Sequence, residues 1–234
     1  MPRGSDSSKW KCPPSTTCTT DGVVLPQLVR LHPWEARLRP EVPSGGDVRL
    51  IDGASSVSPL PRLHERLGPY RPGVIGRSAS WWKAKWEPLV RSARSPVVAV
   101  HSGPDGDDGF VAYRTMQSGD CGARVTLMVT DFHAGNPEAV VGLWRFLLGV
   151  DLVEEVCVRR RPTDELVEGM LDDWRACRTH SLNDDLWLRL VDVPKAPDAR
   201  SCGDGDPLVL EVGDELNADR LFGVSTAAFC ETTF

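Results

Sequence analysis

Few side chains in this sequence stand at spacings that suit catalysis, and each has a plainer structural explanation. Arg200-Ser-Cys-Gly203-Asp-Gly205 has the arginine and glycine spacing of a loop that turns backbone N–H groups onto a pyrophosphate. Its context is wrong: it follows a Pro/Ala linker and leads into a strand, and Asp204 and Asp206 would repel phosphate. A chance match is the better reading. His133, within DFHAGNP at 131–137, could act as a base, but an exposed loop histidine is expected there. Arg159, Arg160 and Arg161 resemble a phosphate or nucleic-acid patch, yet they better suit a strand end whose charges meet neighbouring carboxylates or a partner subunit. Trp81, Trp82 and Trp86 could line a pocket, although core packing is the expectation, with one of the adjacent pair facing outwards.

The seven cysteines are odd in number and scattered, and no C-x-x-C pair occurs. Reduced, partly buried thiols are expected, with neither a disulfide framework nor a metal site. The net charge of -6 argues against a nucleic-acid binder and suits a soluble protein or one that attracts a cationic substrate. No apolar run is long enough to cross a bilayer, and the first residues lack the apolar core of a secretory signal, so a cytoplasmic location is the default.

The elements that must position these residues follow from periodicity. Residues 1–46, rich in Pro, Ser, Thr and Gly, are expected to be largely irregular, with a short docking element where Val24, Leu28 and Leu31 could share a helical face despite Pro26. A strand is expected at 47–52, a helix at 59–68 and another at 78–94. Ser80 can cap that second helix, Trp82, Trp86 and Leu89 share a face, and Pro88 should kink or end it. Strands at 96–101, 109–116 and 123–131 are joined by GPDGDD and SGDCG turns. The helix at 137–149 has the clearest signals: Asn136 as cap, Pro137 in the first turn, and an apolar stripe of Val140, Leu143, Trp144, Leu147 and Leu148. A strand at 153–160, a short helix at 163–171 and strands at 185–192 and 207–212 complete the series.

The order of elements from 47 to 192 matches that of a GNAT domain, and several motifs make the likeness specific. RPGVIGRSASWW (71–82), GLWRFLLGVDLVEEV (142–156), RRRPTDEL (159–166), DLWLRLVDVPKA (185–196) and the terminal AFCETTF (228–234) resemble the Eis-type (enhanced intracellular survival) GNAT N-acetyltransferases over about two-thirds of the chain. The family has an acetyl-CoA-binding GNAT domain, a degenerate central one and a closing sterol-carrier-like domain. The resemblance therefore implies an α/β (α+β) fold with 47–193 as a degenerate GNAT-like domain, its mixed, mostly antiparallel sheet flanked by helices, and 194–234 as a remnant of a sterol-carrier-like domain, after the largely irregular tail at 1–46. It implies acetyl-CoA as the family's co-substrate, amine acceptors such as aminoglycosides or lysine side chains, and a homo-oligomer, hexameric in the family. It also makes the terminal carboxylate of Phe234 the candidate catalytic base. Neither Tyr70 nor Tyr113 falls where the family's general acid lies. Nothing before residue 37 resembles an acetyl-CoA-binding first domain, and DFHAGNP, with one glycine and no arginine, makes a poor pyrophosphate cradle. The chain alone is therefore expected to hold no acetyl-CoA. The alternative is a non-catalytic GNAT-like scaffold or oligomerisation module.

Overall fold

The computed structural model describes residues 21–24, 27–43, 46–67, 74–118, 124–162, 165–182, 186–189, 210–212 and 222–224. The chain divides into two compact units, Leu25–Asn183 and the combination of Met1–Val24 with Asp184–Phe234. In the smaller unit, β1 (Asp21–Val24) pairs antiparallel with β9 (Leu186–Arg189), and β10 (Leu210–Val212) pairs antiparallel with β11 (Phe222–Val224). The strands expected at 185–192 and 207–212 coincide with β9 and β10, and the rest of each range lies outside the described residues. Tyr70, Phe234, the Arg200–Gly205 stretch and five of the cysteines (Cys12, Cys18, Cys121, Cys202 and Cys230) lie outside the described residues.

The larger unit is built on seven strands: β2 (Gln27–Leu31), β3 (Asp47–Ile51), β4 (Val97–Gly103), β5 (Gly106–Ser118), β6 (Arg124–Ala134), β7 (Glu155–Arg161) and β8 (Cys177–Leu182). Their order is β3-β4-β5-β6-β7-β2-β8. The β6–β7 pair is parallel and the other neighbours are antiparallel. A parallel pair cannot be joined by a tight turn, so the chain crosses over through α4 (Pro137–Leu148) between them. The β4–β5 hairpin turns through Pro104 and Asp105, closed by Gly103 opposite Gly106, whose φ of 105° needs a glycine.

Residues 27–31 are not helical. Val29 and Leu31 are wholly buried while Leu28 and Arg30, which alternate with them, are half-buried, a period of two that makes an interior strand between β7 and β8. The sequence stretch is too short for its period to separate strand from helix, and only the sheet decides. β8 has no counterpart in the sequence reading, because CRTHSL lacks the apolar alternation of a two-sided strand: past Cys177 its residues are exposed or half-buried.

Helices cover the sheet on both faces. α4 is capped by Asn136, whose side chain accepts from the Ala139 N–H at 2.7 Å, and it ends at Gly149. Its Val140, Leu143, Trp144 and Leu147 bury against Val29, Leu31, Leu127, Val129, Val156 and Val158, joined by α5 (Val167–Met170). Each such side chain contributes roughly 1.5–3 kcal/mol by leaving water. On the other face, α1 (Pro59–Leu67), α2 (Ala79–Trp81) and α3 (Glu87–Val90) pack Leu60, Leu63, Trp82, Trp86 and Val90 onto Val98, Val100, Phe110 and Ala112. Ser78, not Ser80, caps α2, accepting from the Trp81 N–H at 3.2 Å. A π-helical turn, Trp82–Trp86, separates α2 from α3, with the Glu87 N–H reaching the Trp82 carbonyl. Pro88 has no N–H for the ordinary ladder and its ring crowds the preceding turn, which explains the widening just before it.

Candidate functional site

The turn from β6 into α4 is where a strand–turn–helix anion site belongs, and here the chain fills it with its own groups. Asn136 spends its side-chain oxygen on the helix start and donates through Nδ2 to Asp108 Oδ2 at 2.8 Å. Asp108 Oδ1 lies 2.5 Å from His101 Nδ1, and the Asp108 carbonyl accepts from the Gly135 N–H at 2.9 Å. Pro137 has no N–H to offer. A carboxylate therefore stands beside the helix start, the place a phosphate would need. Gly135 is also packed tightly, for a Cβ there would come within 2.7 Å of Leu67 Cδ2.

The second opening lies between β6 and β7. Their pairing runs from Thr126 opposite Glu155 to Val129 opposite Val158, although β6 continues to Ala134 and β7 to Arg161. The strands part beyond Val129, which leaves backbone groups that need partners. Arg161 supplies one: its Nη1 donates to the Phe132 carbonyl at 3.2 Å, with the guanidinium 4.2 Å from the centre of the Phe132 ring. Arg161 Nε donates to Glu165, which also accepts from the Trp144 indole N–H at 3.2 Å and the Leu166 N–H at 3.1 Å. The two charged side chains are only 7% and 2% exposed. The opening is sealed by a paired, hydrogen-bonded arginine.

A third cluster sits under α1 and α2. Arg77 grips Asp131 with both arms, Nη1 to Oδ2 at 2.5 Å and Nη2 to Oδ1 at 3.0 Å, and stacks over Trp81 at 4.4 Å. His133 Nε2 lies 2.8 Å from Asp131 Oδ1, and its ring meets Phe110 and His64 at 5.1 and 4.7 Å. Burial would push the Asp131 carboxyl up, but His133 and Arg77 outweigh it and hold the group well below the usual carboxylate range. His64 is pushed down to about 4, first by burial and then by the charges of His133 and Arg77. Its buried Nε2 has no hydrogen-bond partner among the described residues. A recess of about 650 Å³ opens above, lined by Pro61, His64, Glu65, Arg77 and Trp82. Arg77 gives both terminal nitrogens to Asp131, so an incoming carboxylate would have to compete with Asp131 for that end of the guanidinium.

The residues singled out in the sequence fall into separate places. His133 is not on an exposed loop: β6 runs three residues past the expected strand end, paired with β5, and leaves the imidazole 16% exposed. Tyr113 packs on Phe146 within the α4 core, and burial raises its phenol. Trp82 and Trp86 are core residues, Trp86 Nε1 donating to Ser56 Oγ at 3.0 Å, while half-buried Trp81 carries Arg77. Of the arginine run, Arg161 finds a carboxylate, and Arg159 and Arg160 are exposed. Cys157 and Cys177 are free and buried. Burial raises the Cys157 thiol and, with Glu168 and Glu165, lifts the Cys177 thiol to about 12, which disfavours the thiolate at both. No group of three or more metal-ligating side chains occurs among the described residues. Arg77, Asp131 and Glu165 were missed, and only the i,i+4 spacing of Arg161 and Glu165 gave a local signal.

Similarity to known proteins agrees with this architecture. Residues 73–190 match the family described as Acetyltransferase (GNAT) domain. An uncharacterised N-acetyltransferase from Streptomyces griseus subsp. griseus is 35% identical over 188 residues, 77% of this chain and 45% of that protein. The N-acetyltransferase Eis of Mycobacterium tuberculosis is 28% identical over 199 residues, 76% of this chain and 47% of its own. The crystal structure of an Eis protein from Mycobacterium abscessus superposes with a TM-score of 0.70 at 28% identity, over 88% of this chain and 54% of that one. The chain thus spans about half the length of the relatives it matches. With the seven-stranded, helix-flanked sheet on one side and the matched family on the other, this chain belongs to the GNAT acetyltransferases and resembles their Eis-type branch.

Proposed function

We propose that the larger unit is a supporting, CoA-free module of an Eis-type N-acetyltransferase, and that acetyl-CoA is held by another domain of the assembled enzyme. The observation that carries this reading is Arg161, which fills the parting between β6 and β7 and is fixed there by Phe132 and Glu165. The start of α4 adds support, since Asp108 and Asn136 occupy the position of a pyrophosphate. The residues present at the β6–α4 turn and the β6–β7 parting do not fit the cofactor. In the assembled enzyme the acceptor is an amine, an aminoglycoside or a lysine side chain, and the Phe234 carboxylate is the candidate for its proton. The assembly is a cytoplasmic homo-oligomer, and the 194–234 segment is what this chain has of the sterol-carrier-like domain.

Calorimetric titration of the purified chain with CoA tests the reading, together with thiol release from acetyl-CoA in the presence of an aminoglycoside or a polyamine. The expected outcome is no heat of binding and no release above the protein-free rate. Micromolar CoA affinity, or turnover that disappears when Phe234 is deleted, would overturn it.

A further inference from the structure

The register of the sheet brings arginines from separate strands into one line. Arg114 of β5 stands opposite Met128 of β6, Met128 opposite Cys157 of β7, Cys157 opposite Arg30 of β2, and Arg30 opposite Arg178 of β8. Directly opposed residues share a face, so these side chains leave the sheet on the same side. Arg159, two residues beyond Cys157, joins them. This is the face on which α1–α3 bury Phe110 and Ala112, but those helices take their buried partners from β4 and β5, at the far end of the row.

The line is short of counter-charge. Arg30 reaches Glu155 at 3.4 Å, and among the described residues Arg114, Arg159 and Arg178 form no ion pair. Arg159 and Arg178 are exposed, whereas Arg30 and Arg114 are half-buried and each keeps a buried Nε without a partner. At strand spacing the row from β5 to β8 covers about 19 Å, too long for one small anion. Guanidinium groups left without carboxylates, on a chain of net charge -6, mark a surface built to receive negative charge.

We propose that this stripe docks a partner polypeptide that presents a row of carboxylates. Nucleic acid fits it less well. Met128 and Cys157, not aromatic rings, stand between the arginines, so the stripe offers no platform on which bases could stack. Arginine forks meet carboxylates two bonds at a time, and long arginine stems cover apolar surface, so the stripe offers both charge and contact area. The docking stands whether or not the unit binds CoA.

Fluorescence anisotropy of labelled poly-L-glutamate with the full chain tests it, beside a single-stranded oligothymidylate of matched charge. Saturable, salt-sensitive binding of the peptide is expected, weakened at least about tenfold in R159E/R178E and less in R159Q/R178Q. Both positions are exposed, and the glutamine pair serves as the reporter if the glutamate pair lowers the melting temperature. The proposal is overturned by absence of peptide binding, by equal binding to wild type and both variants, or by tighter binding of the oligothymidylate, which would assign the stripe to nucleic acid.

Discussion

Arg161 and Arg77 each place a guanidinium against a largely buried carboxylate, yet they do different work. Arg161 and Glu165 are 7% and 2% exposed and stand where two parallel strands separate, so their hydrogen bonds replace a missing strand pairing. Arg77 and Asp131 are 18% and 13% exposed, and they floor an open recess, sharing the carboxylate with His133. The first pair closes a gap in the sheet. The second holds a helix start onto the sheet through the Arg77 stack on Trp81 and Trp82. The same residue pairing thus serves as a plug in one region and as a clamp in the other, and burial should set what each is worth.

The plug gives the largest expected effect. R161A leaves Glu165 charged and nearly sealed from water, which costs about 3–5 kcal/mol in urea unfolding. R161M/E165L removes both charges, and it should recover part of that loss, because the Trp144 indole N–H and the Phe132 carbonyl stay without their partners. If the double variant is as unstable as R161A, the arginine acts through its bond to the Phe132 carbonyl and not through its charge. The clamp should cost less: D131A is expected to lose about 1.5–3 kcal/mol, because Arg77 keeps some access to water and its stacking on tryptophan. Asp131 is held below the usual carboxylate range, so its stabilisation is present above about pH 4, the unfolded value, and is lost as pH falls towards its folded one.

These two pairs were not equally legible. The helix that flanks the plug was readable, since Asn136, Pro137 and the Val140–Leu147 stripe are local signals that the structure realises. Arg161 and Glu165 lie four residues apart, so their pairing could have been suspected, but the gap they fill exists only once β6 and β7 run parallel. Arg77 and Asp131 are 54 residues apart, and nothing near either names the other. The same limit hid β2, which is a strand because β7 and β8 flank it, and the arginine stripe, which is a property of register and not of sequence neighbourhood. His133 was misplaced for a smaller reason: the strand was ended at Asp131, and the last three residues of β6 carry its side chain inward.

Beside the clamp, His64 gives a smaller effect with a defined pH window. Its folded pKa of about 4 lies below the unfolded value near 6.5, so the unfolded chain takes up a proton first as pH falls. Stability is therefore full above about pH 6.5 and declines through the interval down to about pH 4, amounting to about 2 kcal/mol between pH 7 and pH 5. Urea unfolding at the two pH values should show that decline in wild type and a loss smaller by about that amount in H64Q. An unchanged difference would mean that His64 gains a partner when it protonates, and that the clamp tolerates a charge beside Arg77.

The smallest effect calibrates the rest. Arg91, which caps the end of α3, and Glu87, at its start, form an i,i+4 pair at 3.1 Å, with the arginine side chain 68% exposed. The distance is within hydrogen-bonding range, close to the 3.0 Å between Arg77 Nη2 and Asp131 Oδ1, and glutamate precedes arginine, the favourable order on a helix. Water nevertheless solvates both partners when the contact is broken, so R91A should change stability by less than about 0.5 kcal/mol. Plug, clamp and surface pair then form a series in which chemistry is constant and exposure rises. Should R91A cost as much as D131A, burial would not be what separates these regions, and the closure of the β6–β7 parting would need another cause than the sealed charge of Glu165.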